Sequence, residues 1–174
     1  MCPRRARYAR RVRLARTRPL ALAALALLAP VLAACGATTV PAGPDAADPA
    51  CADIVVGAPQ QMLGQALHET DSQGTLAWGT GEDTIVLRCG VTPPGPTTDL
   101  CTTLADSSGR EVDWIVREED GIVLFTSFGR EPAIDISVPR SVAPDQPSAV
   151  PLEFTQLISA IPATSRCIGP GDAA

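Results

Sequence analysis

The chain has 174 residues, with 14 arginines, no lysine, 19 acidic residues and one histidine, for a formal charge of −5. Eight of the arginines lie within residues 1–18 and every acid follows Cys35, so the chain beyond Cys35 carries six arginines against nineteen acids, a formal charge of −13. That balance excludes nucleic acid and anionic lipid as partners recognised by bulk charge, and it favours solubility at an exposed surface.

In chain order, a basic stretch (Arg4, Arg5, Arg7, Arg10, Arg11, Arg13, Arg16, Arg18) precedes the uncharged run PLALAALALLAPVL, residues 19–32. This is the layout of a secretory signal. Leu20 to Leu32 as a helix spans roughly 20 Å, short of the roughly 30 Å of a hydrocarbon core. The run ends in Leu32-Ala33-Ala34-Cys35, which resembles the bacterial lipobox. That resemblance implies diacylglyceryl transfer to Cys35 and cleavage before it, leaving the domain lipid-anchored on the extracytoplasmic face of the cell membrane. Two acyl chains make a stable anchor where one is marginal. Residues 1–34 are therefore expected to be a signal peptide. Residues 35–50, the lipidated cysteine and GATTVPAGPDAADPA, read as a flexible tether too poor in large apolar groups to offset ordering entropy. A single globular domain is expected over 51–168, with a disordered tail at 169–174.

Four further cysteines, Cys51, Cys89, Cys101 and Cys167, are an even set in an exported chain and imply two disulfides. Of the three possible pairings, Cys89–Cys101 across the Pro-rich loop and Cys51–Cys167 across the domain ends are expected. Zinc is disfavoured by the lone histidine and the absence of a C-x-x-C pair. No metal and no cofactor is expected.

The segment APQQMLGQALHETD (58–71) carries Met62, Leu63, Ala66 and Leu67 at helical spacing, with Pro59 suited to a first turn. TIVLRCGV (84–91) and VDWIVRE (112–118) read as strands. An Asp-Gly pair at 120–121 before GIVLFTSFG is the strongest hairpin signal. AIDISVP (133–139) alternates strictly, with Ile134, Ile136 and Val138 facing in. AVPLEFTQLISAI (149–161) reads as a second helix, and LAWG as a short strand. The fold class expected is α+β: a small antiparallel sheet of four to five strands with an N-terminal and a C-terminal helix packed on one face.

The peptides AWG (77–79), IVLRCGV (85–91), VDW (112–114), FTSFGR (125–130) and VP (138–139), in that order, resemble an actinobacterial family of exported proteins and lipoproteins catalogued as a domain of unknown function, number thirty-five fifteen. The resemblance spans roughly residues 51–161 and departs from the pattern in the long link between Trp78 and the next strand. It implies a small envelope domain and supplies no catalytic residues.

The residues assemble no catalytic set. The histidine, His68, sits beside Glu69 on a predicted helix, there is no G-x-S-x-G elbow, and a serine–lysine dyad is ruled out without lysine. Glu118, Glu119 and Asp120 form a solvated acidic turn. Arginine is the residue type left to explain. The strand period puts Arg88 on the face of Val86, opposite Ile85, Leu87 and Cys89, and Arg130 continues the Leu124–Thr126 face. With Trp78, these two form a possible binding pocket for a small anion or a peptide carboxylate. Against it stands a structural role, each arginine pairing with an acid such as Asp113 or Asp135. The expected function is a non-enzymatic binding or accessory module of the cell envelope, its partner an envelope protein or wall component; the alternative is a carboxylate-dependent hydrolase acting on a wall component.

Overall fold

Alternating apolar positions organise this chain into one antiparallel sheet. The computed structural model describes residues 37–168. The expected signal peptide, the expected lipidation site Cys35 and the expected tail lie outside the described residues. Eight strands run β1 Gln61–Met62, β2 Gln65–His68, β3 Thr75–Trp78, β4 Ile85–Val91, β5 Leu100–Ala105, β6 Glu111–Glu119, β7 Ile122–Ser127 and β8 Ala133–Pro139. Their spatial order is β1-β2-β3-β4-β8-β7-β6-β5, so the last strand inserts between β4 and β7. The helices are short: α1 Pro49–Gly57, α2 Ala149–Glu153 and α3 Thr155–Ile158.

The expected α+β architecture of four or five strands and two packed helices is thus corrected to a mostly-β fold. The segment 58–71, expected as a helix, is the β1–β2 hairpin. Its two-residue loop, Leu63-Gly64, takes left-handed φ values of 48° and 79°, a turn that a helical spacing of apolar residues does not reveal. Strand β5 was not foreseen because its side chains alternate only between half-buried and exposed at the sheet edge. The expected C-terminal helix is two single turns that meet at Phe154. The long link after Trp78 holds a 3-10 turn over Gly81–Asp83.

One face of the sheet carries the core. Trp78, Ile85, Leu87, Trp114, Phe125, Ile134, Ile136 and Val138 are buried there, closed over by Cys51 and Ile54 of α1 and by Val150, Phe154 and Ile158 of the C-terminal turns. Burying a large apolar side chain of this kind stabilises by about 1.5–3 kcal/mol. The Asp-Gly hairpin forms as the sequence indicates, with Glu119 opposite Ile122 and φ of 51° and 76° at the two loop residues.

Residues 37–50 differ from the flexible tether expected of them. Thr38 N–H donates to the Glu69 carbonyl, Asp45 N–H to the Gly90 carbonyl at 2.9 Å, and Val40 N–H to Asp71 Oδ1. Val40 and Ala46 are buried. The Val40 N–H, then Thr39 and Ser72, hold the Asp71 carboxyl below its ordinary range. Gly90 makes this contact possible. It has φ of 79°, sits at a register shift in β4, and a Cβ there would lie 2.3 Å from Ala46 N. Asp48 then caps α1 through the Ala50 N–H, with Pro49 in the first turn. Asp-Pro before an apolar run is the signal that marks this helix start.

The disulfides are Cys51–Cys89 and Cys101–Cys167, not Cys89–Cys101 and Cys51–Cys167. Cys89 points into the core toward α1, whereas Cys101 lies on the opposite face of the sheet. The two flank one loop but face different ways.

Candidate outer-face cleft

The face away from the core is built from alternate residues of the same strands. Pairing sets Arg88 of β4 opposite Asp135 of β8, Asp135 opposite Thr126 of β7, and Thr126 opposite Ile115 of β6. A single period of two thus brings four side chains from four strands into one row.

The Pro-rich loop after β4 roofs part of this row. Together, Thr92 to Thr97, Ile115, Arg117, Leu124, Thr126 and Asp135 enclose a cleft of about 450 Å³. The loop is held in place from outside. Arg117 Nε donates to Asp99 Oδ2 at 2.7 Å, and Thr97 Oγ1 donates to the same oxygen at 2.8 Å. The Thr97 hydroxyl and then the Arg117 guanidinium hold the Asp99 carboxyl below its usual range. Ile115 is only 2% exposed although it faces away from the core.

Asp135 is the chemically distinct group here. Burial pushes its carboxyl up, opposed by the hydrogen bond from Thr126 and by the charges of Arg88 and Arg117. Thr126 Oγ1 donates to Asp135 Oδ1 at 2.7 Å. Arg88 Nη1 stands 4.0 Å from Asp135 Oδ2, the outer limit of an ion pair, and its Nε is buried with no partner. A buried donor without a partner is costly and rare. Arg88 is therefore loosely held, with hydrogen-bonding capacity that the protein leaves unused.

The other residues singled out in the sequence fall elsewhere. Trp78 is fully buried, edge-on to Phe154 at 5.7 Å, and its Nε1 donates to the Pro59 carbonyl at 2.8 Å. It is a core residue and takes no part in a pocket. Arg130 is 5% exposed, and its Nη atoms donate to the Ile161 and Glu111 carbonyls. It borders a different groove, with Arg110 and Arg166. The structure does not assemble Arg88, Arg130 and Trp78 into one site. The sequence names Asp135 as a possible arginine partner and places Thr126 on a strand face, but it does not bring the two together; the Pro-rich run reads only as the loop between Cys89 and Cys101, and nothing in it signals that it covers this row.

His68 and Glu69 are exposed and border an apolar groove of about 610 Å³ between α1 and β2–β3. Among the described residues, no three His, Cys, Asp or Glu side chains converge on a metal-sized position. No helix among them is long and apolar enough to cross a membrane.

Residues 19–165 match the model of a protein family of unknown function, DUF3515. The chain belongs to that family. No curated protein and no solved structure matches it.

Proposed function

We propose that the chain is a cell-envelope lipoprotein whose domain is a non-enzymatic binding or accessory module, held at the outer face of the cytoplasmic membrane through diacylated Cys35. The basic stretch, the short apolar run and Leu-Ala-Ala-Cys at 32–35 support the anchor. Two disulfides support an oxidising compartment.

The observation that carries the binding role is the pair Arg88 and Asp135: a guanidinium with an unpartnered buried Nε, 4.0 Å from an acid that itself lines the cleft roofed by the loop. A ligand that brings a carboxylate to Arg88 and a donor to Asp135 satisfies both groups at once, as the carboxyl end of a wall peptide does. The test is an NMR titration of the disulfide-intact protein with N-acetyl-alanyl-alanine and with its C-terminal amide. The free acid shifts the amides of Thr126, Asp135 and Ile115, the amide derivative does not, and Arg88→Ala removes the response. Shifts at neither compound up to about 10 mM, the edge of measurable affinity, count against this ligand class.

The raised carboxyl of Asp135 favours a second reading, a hydrolase with Asp135 as general acid. Release of product from a wall peptide, lost in Asp135→Asn while binding persists, would replace the binding role with that one.

A further inference from the structure

Three of the six arginines beyond Cys35 surround one groove of about 340 Å³. They come from three separate places in the chain. Arg110 is on the β5–β6 turn, Arg130 follows β7, and Arg166 is in the C-terminal segment.

The fold holds that C-terminal segment firmly. Cys167 is bonded to Cys101, and its N–H donates to Asp113 Oδ2 at 2.9 Å. Thr164 N–H donates to the Gly129 carbonyl, and Arg130 bridges to Ala163. Gly129, at φ of 67°, lets the segment pass so close that a Cβ there would meet the Ser165 carbonyl oxygen at 2.0 Å. The arrangement keeps Arg166 near Arg130, against like-charge repulsion. Burial, and next the charge of Arg166, draw the Arg130 pKa below its ordinary value; Asp113 opposes them.

Of the acids nearby, Asp113 is committed elsewhere, Asp106 holds the Nε of Arg110 and leaves its Nη atoms, and Glu111 is bound loosely. Asp113 accepts from Thr103 Oγ1 and from Cys167 N–H. Asp106 accepts from Arg110 Nε and from the Ser108 and Arg110 N–H groups, and the Arg110 Nη2 reaches only Gln156 at 3.4 Å. Glu111 stands 3.5 Å from Arg166, both more than half exposed. Such an exposed pair contributes little and exchanges readily.

We infer that this groove is a binding site for a phosphate-type oxyanion, with Arg110 and Arg166 as the gripping arms and Arg130 as a fixed positive floor. Arginines converging from separate segments suit a tetrahedral anion, which offers oxygens in several directions, better than a planar carboxylate. The volume exceeds that of a free phosphate and leaves room for the remainder of an ester. The ligand displaces Glu111 from Arg166.

The test is a titration of the disulfide-intact protein at low salt, read by backbone amide shifts, with inorganic phosphate and glycerol 3-phosphate. Vesicle sedimentation with phosphatidylglycerol against phosphatidylcholine forms a second arm. The expected result is saturable shifts at Gly109, Arg130 and Arg166. Arg110→Gln and Arg166→Gln each weaken binding about tenfold, as loss of a charge-assisted contact does. Glu111→Gln tightens it. Both arginines are exposed, so melting temperatures stay unchanged and the loss is one of contact rather than folding. Sedimentation with phosphatidylglycerol, lost in Arg166→Gln, assigns the phosphate to a lipid headgroup; binding of the soluble esters alone assigns it to a soluble or wall phosphate. No saturable shift with either phosphate, or equal binding by both Gln variants and the native protein, overturns the site.

Discussion

Replacing Cys101 and Cys167 together with serine releases a closed loop of 66 residues. The loop-entropy relation gives a loss of about 4 kcal/mol at 25 °C, since it grows only with the logarithm of loop length. With a urea dependence of about 2 kcal/mol per molar, the unfolding midpoint falls by about 2 M. The thermal midpoint falls by roughly 10–20 °C for a domain of this size. The assay is urea unfolding followed by tryptophan fluorescence, because Trp78 and Trp114 are both fully buried. Non-reducing peptide mapping of the native protein checks the pairing. A double variant within 1 kcal/mol of the native protein would refute the reasoning, as would a mapped Cys89–Cys101 link.

Asp135→Asn should stabilise the fold at neutral pH. The folded carboxyl titrates above its ordinary value, so the native state holds its proton more tightly than the unfolded chain. Stability from this group is therefore greatest in acid and declines as pH rises through its folded pKa. The difference in melting temperature between variant and native protein grows from acid to neutral pH; a variant less stable at pH 7 contradicts the sign. Trp78→Ala should cost about 3–5 kcal/mol in urea unfolding, as a fully buried aromatic does, whereas Arg88→Ala should change stability by less than about 1 kcal/mol. Gly129→Ala should force the C-terminal segment off the sheet, seen as faster amide exchange at Thr164 and Cys167; unchanged exchange would sink the close-packing argument.

The strands that the sequence makes legible are those with strict alternation or a strong turn. Ile134, Ile136 and Val138 face the core as their spacing requires, and Asp120-Gly121 closes the hairpin it signals. The β1–β2 hairpin was hidden because a Leu-Gly turn imitates helical spacing, and nothing local distinguishes Leu63 as a residue that takes a left-handed φ. The N-terminal segment was hidden because its ordering comes from partners far along the chain, Glu69, Asp71 and Gly90, rather than from its own apolar content. Arg88 was placed on the correct face by period alone. Asp135 was among its candidate partners, but which of the acids it faces follows only from cross-strand register, as does the Thr126 hydroxyl that bonds to Asp135. Arg130 is a floor beneath the C-terminal segment because the Cys101–Cys167 link carries that segment across the sheet, a pairing that sequence spacing does not determine.

The central claim is an envelope module tied to the membrane at Cys35. Intact mass spectrometry of the protein extracted from membranes of its native cells tests that claim most directly. The account predicts a chain that begins at Cys35 and carries a diacylglyceryl adduct. An unmodified chain recovered from the soluble fraction, with Cys35 as a free thiol, would contradict it.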